Sequence, residues 1–139
     1  EKMKHLLNDI ADNCPAFKTW LDGSFDLKAI PKEAIDQMAA YSEKATGKTK
    51  IAFADLLRLI ILTEEQADYI MSKHWTTLID DFATQFVCKP ENKDDKLVQN
   101  FNLTMLKFMI NCFQTEKGTE LMMTENTSMS FITLCNVSF

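Results

Sequence analysis

The sequence predicts an all-α fold built as a stack of helical repeats, and three observations carry that expectation. Turn residues are scarce, with only 3 Gly and 3 Pro in 139 residues, whereas sandwiches and barrels need a turn every few residues. Hydrophobic residues make up 46% of the chain, including 8 Met and 10 Phe, enough for a real core and suited to irregular helix-on-helix packing. Two very apolar segments also echo one another. "FADLLRLIIL" holds Leu56-Leu57-Arg58-Leu59 and "FNLTMLKFMI" holds Met105-Leu106-Lys107-Phe108, each with one long basic side chain in an apolar run.

The elements follow in order. Leu6, Leu7, Ile10 and Cys14 mark one apolar stripe of a first helix, ended or broken at Pro15. A further turn surrounds Phe17, Trp20 and Leu21 and closes at Gly23. A clear helix starts at Pro31, with Glu33 in its first turn and Ile35, Met38 and Ala39 on one face, and Gly47 is its expected stop. The next helix, "KIAFADLLRLIIL", is apolar nearly all round, so neighbours must cover it on several sides. A strand is the alternative for so short an apolar run, but no hairpin turn signals flank it. Thr63 is the expected N-cap of a helix with Glu64 and Glu65 in its first turn. From residue 75, Leu78, Ile79, Phe82 and Phe86 share a face. A polar loop around Pro90 leads to a long helix, "LVQNFNLTMLKFMINCF". A short helix follows in "QTEKGTELMMTEN", and a last apolar helix or its start in "TSMSFITLCNVSF".

Composition also bounds function. The net charge of −5 disfavours nucleic acid as the main partner, because phosphate recognition rests on clustered Lys and Arg. Cys14, Cys88, Cys112 and Cys135 show no C-x-x-C spacing, and with only His5 and His74 beside them no metal site is expected. They read as reduced cysteines of an intracellular protein, three of them in apolar surroundings. The sequons headed by Asn102, Asn126 and Asn136 are then chance matches. His74 beside Trp75 reads as ordinary helix-boundary structure. Nothing frames a cysteine as a nucleophile, so catalysis and cofactors are not expected. No apolar run reaches the ~20 residues of a membrane span. The missing initiator Met suggests a piece of a longer protein.

The echo between Arg58 and Lys107 spans 49 residues, slightly more than the ~40–47 of an armadillo or HEAT unit. In such a solenoid the middle helices are sandwiched and only a narrow strip faces the concave surface. A polar group on such a helix belongs on that strip, since burial elsewhere costs several kcal/mol. Arg58 and Lys107 are thus expected on one surface, one repeat apart. Asn111 and Asn136, matched in a weaker echo, suit a ladder that holds an extended peptide, because an amide both donates and accepts. Asp55, three residues before Arg58, can hold the guanidinium in place.

These segments resemble a known family. "FADLLRLIIL" is similar to the F-P-A-L-D-x-L-R-L helix of the PUL domain. "NFNLTMLKFMINCF" followed by "KGTELMM" is similar to that domain's later N-C-F and G-x-x-L-M-M stretch, at the same spacing, with the strongest likeness over residues 51–123. The PUL domain is the C-terminal domain of phospholipase-activating protein and its fungal counterparts. The resemblance implies an armadillo-like, right-handed superhelical stack, here a partial array of about three repeats. It also implies a partner, the acidic, tyrosine-bearing C-terminal tail of a AAA ATPase, valosin-containing protein, received by basic groove residues. Arg58 matches the family's L-R-L arginine, and Lys107 stands where a family arginine often precedes the N-C-F helix end. The expected role is that of an adaptor in ubiquitin-dependent protein handling, in the cytoplasm or also the nucleus. A generic helical scaffold or oligomerisation segment is the alternative, with self-association through an uncapped, apolar C-terminal end.

Overall fold

The computed structural model describes residues 2–23, 26–45, 47–82, 95–124, 127–129 and 132. Among them every regular element is helical: α1 (Lys2–Asn13), α2 (Pro15–Asp22), a 3-10 turn (Leu27–Ala29), α3 (Lys32–Ser42), α4 (Gly47–Ile60), α5 (Glu64–Lys73), α6 (Trp75–Phe82), α7 (Lys96–Cys112) and α8 (Glu116–Met122). A further helical turn begins at Thr127. Pro15 breaks the chain as expected, and α2 starts on it at once, with its fixed φ already suited to a first helical position.

Gly47 departs from expectation. It does not stop α3, which already ends at Ser42, with Glu43 as its C-cap. Instead Gly47 opens α4 with φ +58, a left-handed conformation that is cheap only without a Cβ. Lys50, fully buried in α4, donates from Nζ to the Ser42 carbonyl at the end of α3, at 2.9 Å. An ammonium at a helix C-terminus meets both an orphan carbonyl and the negative end of the helix dipole.

The helices stack in columns. α4 packs chiefly against α7, α1 lies on α4, and α5 lies on α8. The buried residues Phe53, Leu57 and Ile60 of α4 and Met105, Met109 and Cys112 of α7 form one core. Trp75 of α6 stacks on Phe108 of α7 with ring centroids 6.0 Å apart.

The stacking is a true repeat with a period of 52 residues. Thr63 and Thr115 are the N-caps of α5 and α8 (115 minus 63). Trp75 donates from Nε1 to the Thr127 hydroxyl at 3.2 Å (127 minus 75), joining equivalent positions of successive units. The burial pattern of α4 recurs in α7 at this offset: Lys50, Phe53, Ala54, Leu56, Leu57 and Ile60 become Asn102, Met105, Leu106, Phe108, Met109 and Cys112, all buried. The 49-residue echo is therefore out of register by three residues. Arg58 is equivalent to Ile110, and Lys107 to Asp55. A slip of three residues is close to one helical turn, so the apolar stripe nearly coincides in either alignment.

Candidate functional site

The sequence-predicted groups Asp55 and Arg58 lie on α4, and Lys107 and Asn111 on α7. Asn136 lies outside the described residues. Arg58 and Asp55 pair as expected, with Nε 2.9 Å and Nη2 2.8 Å from the same oxygen, Oδ1. Both are partly exposed, at 27% and 33% of their side-chain surface. An i,i+3 pair of this kind contributes only ~0.2–0.5 kcal/mol, so its significance is geometric.

Asn111 binds Arg58 through the backbone: its Nδ2 donates to the Arg58 carbonyl at 2.8 Å. The last carbonyls of a helix lack intrahelical partners. At the end of α4, those of Leu57, Leu59 and Ile60 are taken by the N–H groups of Ile61, Leu62 and Thr63. Asn111 satisfies the one that this turn skips. One of its two amide hydrogens thus fixes one repeat to the next.

Lys107 stands one turn before Asn111 on the same face of α7. It is exposed and pairs with no described residue. Asp55 and Arg58 on α4 fall, in the 52-residue register, at the positions of Lys107 and Ile110 on α7, so Arg58 and Lys107 stand on equivalent faces of two adjacent helices, a shared strip. Lys107 is flanked at i−4 and i+3 by Leu103 and Ile110, which are 48% and 54% exposed. The sequence analysis did not single out these two, since each falls inside a long apolar run.

A second cluster went unnoticed in the sequence. On α3, Asp36 accepts from the Tyr69 hydroxyl at 2.7 Å, from Lys73 Nζ at 2.9 Å and from His74 Nε2. Lys32 and Lys73 ammoniums lie 5.3 and 5.5 Å from the Tyr69 ring centroid. Burial alone would push the Asp36 carboxyl up. The hydrogen bonds from Tyr69, Lys73 and His74 and the charge of Lys73 outweigh it and hold the group at about 2. His74 is the C-cap of α5, so the cluster ties α3 to the α5–α6 corner. No sequence signal marks it, because Asp36 lies 33 to 38 residues from its partners.

The buried cysteines are chemically quiet. Cys14 and Cys112 are free thiols with no exposed surface. Burial pushes the Cys112 thiol up to about 12, so it is protonated at neutral pH and a poor nucleophile. Among the described residues no group of three His, Cys, Asp or Glu side chains is placed to hold a metal ion. None of the described helices is long and apolar enough to cross a membrane.

A stack of packed helical units defines an all-α repeat protein. The chain belongs to the PUL domain family, whose model matches residues 15–138. The match extends in both directions past the two segments that carry the resemblance. Searches of curated proteins and of solved structures give no significant match.

Proposed function

We propose that this chain is a non-enzymatic adaptor module that binds the acidic C-terminal tail of a AAA ATPase of the valosin-containing protein type in ubiquitin-dependent protein handling. The observation that carries this reading is the strip itself: Arg58 and Lys107 present two cations on adjacent helices, and Asn111 fixes the relative position of those helices. A planar guanidinium can grip a carboxylate with two parallel hydrogen bonds, whereas an ammonium acts as a point charge. The exposed Leu103 and Ile110 offer apolar contact beside Lys107. The module needs no cofactor and acts in the cytoplasm, with the nucleus as a second location.

The test is fluorescence polarisation with an acidic tail peptide against wild type, Arg58→Glu and Lys107→Glu. Each charge reversal is expected to weaken binding by about tenfold or more. The affinity should also fall with added salt, as exposed charges are screened. Unchanged affinity in both variants would remove the site assignment.

A second reading is favoured by the Asp55 contact, because Arg58 already has a partner within its own helix. In that reading the chain is a helical scaffold whose open apolar face, including Phe113 and Met123 at 44% and 73% exposure, drives association. Light scattering of the wild type separates the two, since an adaptor without self-association stays monomeric.

A further inference from the structure

We propose that Asp55 is a built-in competitor at Arg58, a negative side chain that occupies the guanidinium until a ligand carboxylate displaces or shares it. The inference rests on the acidic-tail reading above and concerns the regulation of that same strip.

Three observations support it. Asp55 Oδ1 alone takes both Nε and Nη2 of Arg58. That edge is one of the two with which a guanidinium can grip a carboxylate through two parallel bonds, the other being formed by Nη1 and Nη2. The pair is also partly exposed, at 33% and 27%, so a ligand reaches it without unfolding the helix. Finally, the 52-residue register makes Asp55 the equivalent of Lys107. At one and the same position of the strip, one unit carries a positive charge and the other a negative one.

The consequence is a threshold. A ligand with one isolated carboxylate gains little at Arg58, because it must either replace an intramolecular partner or share the guanidinium with it, in both cases approaching Asp55 against like-charge repulsion. A tail with several carboxylates engages Lys107 and Arg58 together and overcomes the competitor. Asp55 therefore discriminates against stray anions and singly charged tails. The opposite role would be a positioner, which holds the guanidinium ready and improves binding.

The two roles predict opposite signs for Asp55→Asn, a substitution that keeps the shape and removes the charge. The probe is a fluorescein-labelled hexaglutamate peptide, followed by polarisation at low and at moderate salt. Competition predicts that Asp55→Asn binds about fivefold tighter than wild type or more. The gain should vanish in Asp55→Asn/Arg58→Gln. Wild type that binds while Asp55→Asn binds equally or more weakly overturns the inference and leaves the acidic-tail reading standing. A gain that survives Arg58→Gln overturns it too, since it then reflects general repulsion and not competition at Arg58. No binding by either wild type or Asp55→Asn, with both folded by circular dichroism, overturns the acidic-tail reading itself. In the wild type the Arg58 Nε–H resonance should shift on peptide addition, and a resonance unmoved at saturation overturns the exchange of partners.

Discussion

Asn111 of α7 closes the end of α4 by donating its side-chain amide to the Arg58 carbonyl across the repeat interface, at 2.8 Å. One residue thus serves as a cap for a helix to which it does not belong. Removing it leaves a half-buried carbonyl unpaired. Asn111→Ala is expected to cost about 1–2 kcal/mol by chemical denaturation. A loss below a few tenths would mean that water replaces the amide without penalty.

Gly118 marks the closest approach within the second unit. A Cβ there would lie 2.0 Å from the Cys112 carbonyl oxygen and 2.8 Å from the Thr115 hydroxyl. The backbone has to move to admit a methyl group, and the Gly118 N–H bond to the Thr115 hydroxyl, 3.1 Å long, moves with it. Gly118→Ala should destabilise by about 3 kcal/mol, at the top of the range for overpacking. Gly47 has open space around it but a φ of +58, so Gly47→Ala should cost only ~1–2 kcal/mol. Urea midpoints of the two variants test the order, and equal midpoints would contradict it.

Met71 and Met123 occupy the same position in successive units, 52 residues apart, yet they are 4% and 73% exposed. The first is covered within the stack and the second faces outward. Truncation of Met71 to Ala should cost about 2–5 kcal/mol, because a cavity adds to the lost burial. The same change at Met123 should stay within ~0.5 kcal/mol. Similar losses at the two sites would show that Met123 is buried in solution, against its exposure here.

The helices were legible because their signals are local. The Leu6–Cys14 stripe, Pro15, Thr63 with Glu64 and Glu65, and the all-round apolarity of "FADLLRLIIL" each lie within a few residues of the element they define. The Arg58–Asp55 pair was legible for the same reason. The ends of α3 and α4 were not. Gly47 looks like a helix stop, but α3 finishes five residues earlier, where backbone N–H groups of Lys44 and Ala45 take the Tyr41 carbonyl and Lys50 Nζ takes that of Ser42. The repeat was detected, but its register was misread, because paired basic residues are a weaker marker than the burial of whole helix faces. Asn111 was read as a ladder residue for a partner; its bond to the Arg58 carbonyl, which uses one of its two amide hydrogens, was not legible because it forms only when α7 packs on α4. The Asp36 cluster was invisible because its members meet only after α3 and α5 pack.

That cluster predicts a specific acid response. Asp36 gains three donors on folding, and its carboxyl falls from the ordinary 3.8 to about 2. A carboxylate depressed in the folded state stabilises fully above its unfolded value and loses that contribution as pH falls through the folded value. The Asp36 contribution is therefore complete above about pH 4 and disappears toward pH 2. Its size is modest, since the side chain is about one-third exposed and screened by water. Other carboxylates titrate in the same window, so the wild type must be compared with Asp36→Asn. The stability difference between them should shrink as pH falls below about 4. The Asp36 carboxyl resonance should titrate well below those of exposed aspartates. A difference independent of pH down to 2, or an Asp36 titration at the ordinary value, would falsify the three-donor arrangement. His74→Ala removes one donor while leaving Tyr69 and Lys73, and should move the Asp36 titration part of the way back up.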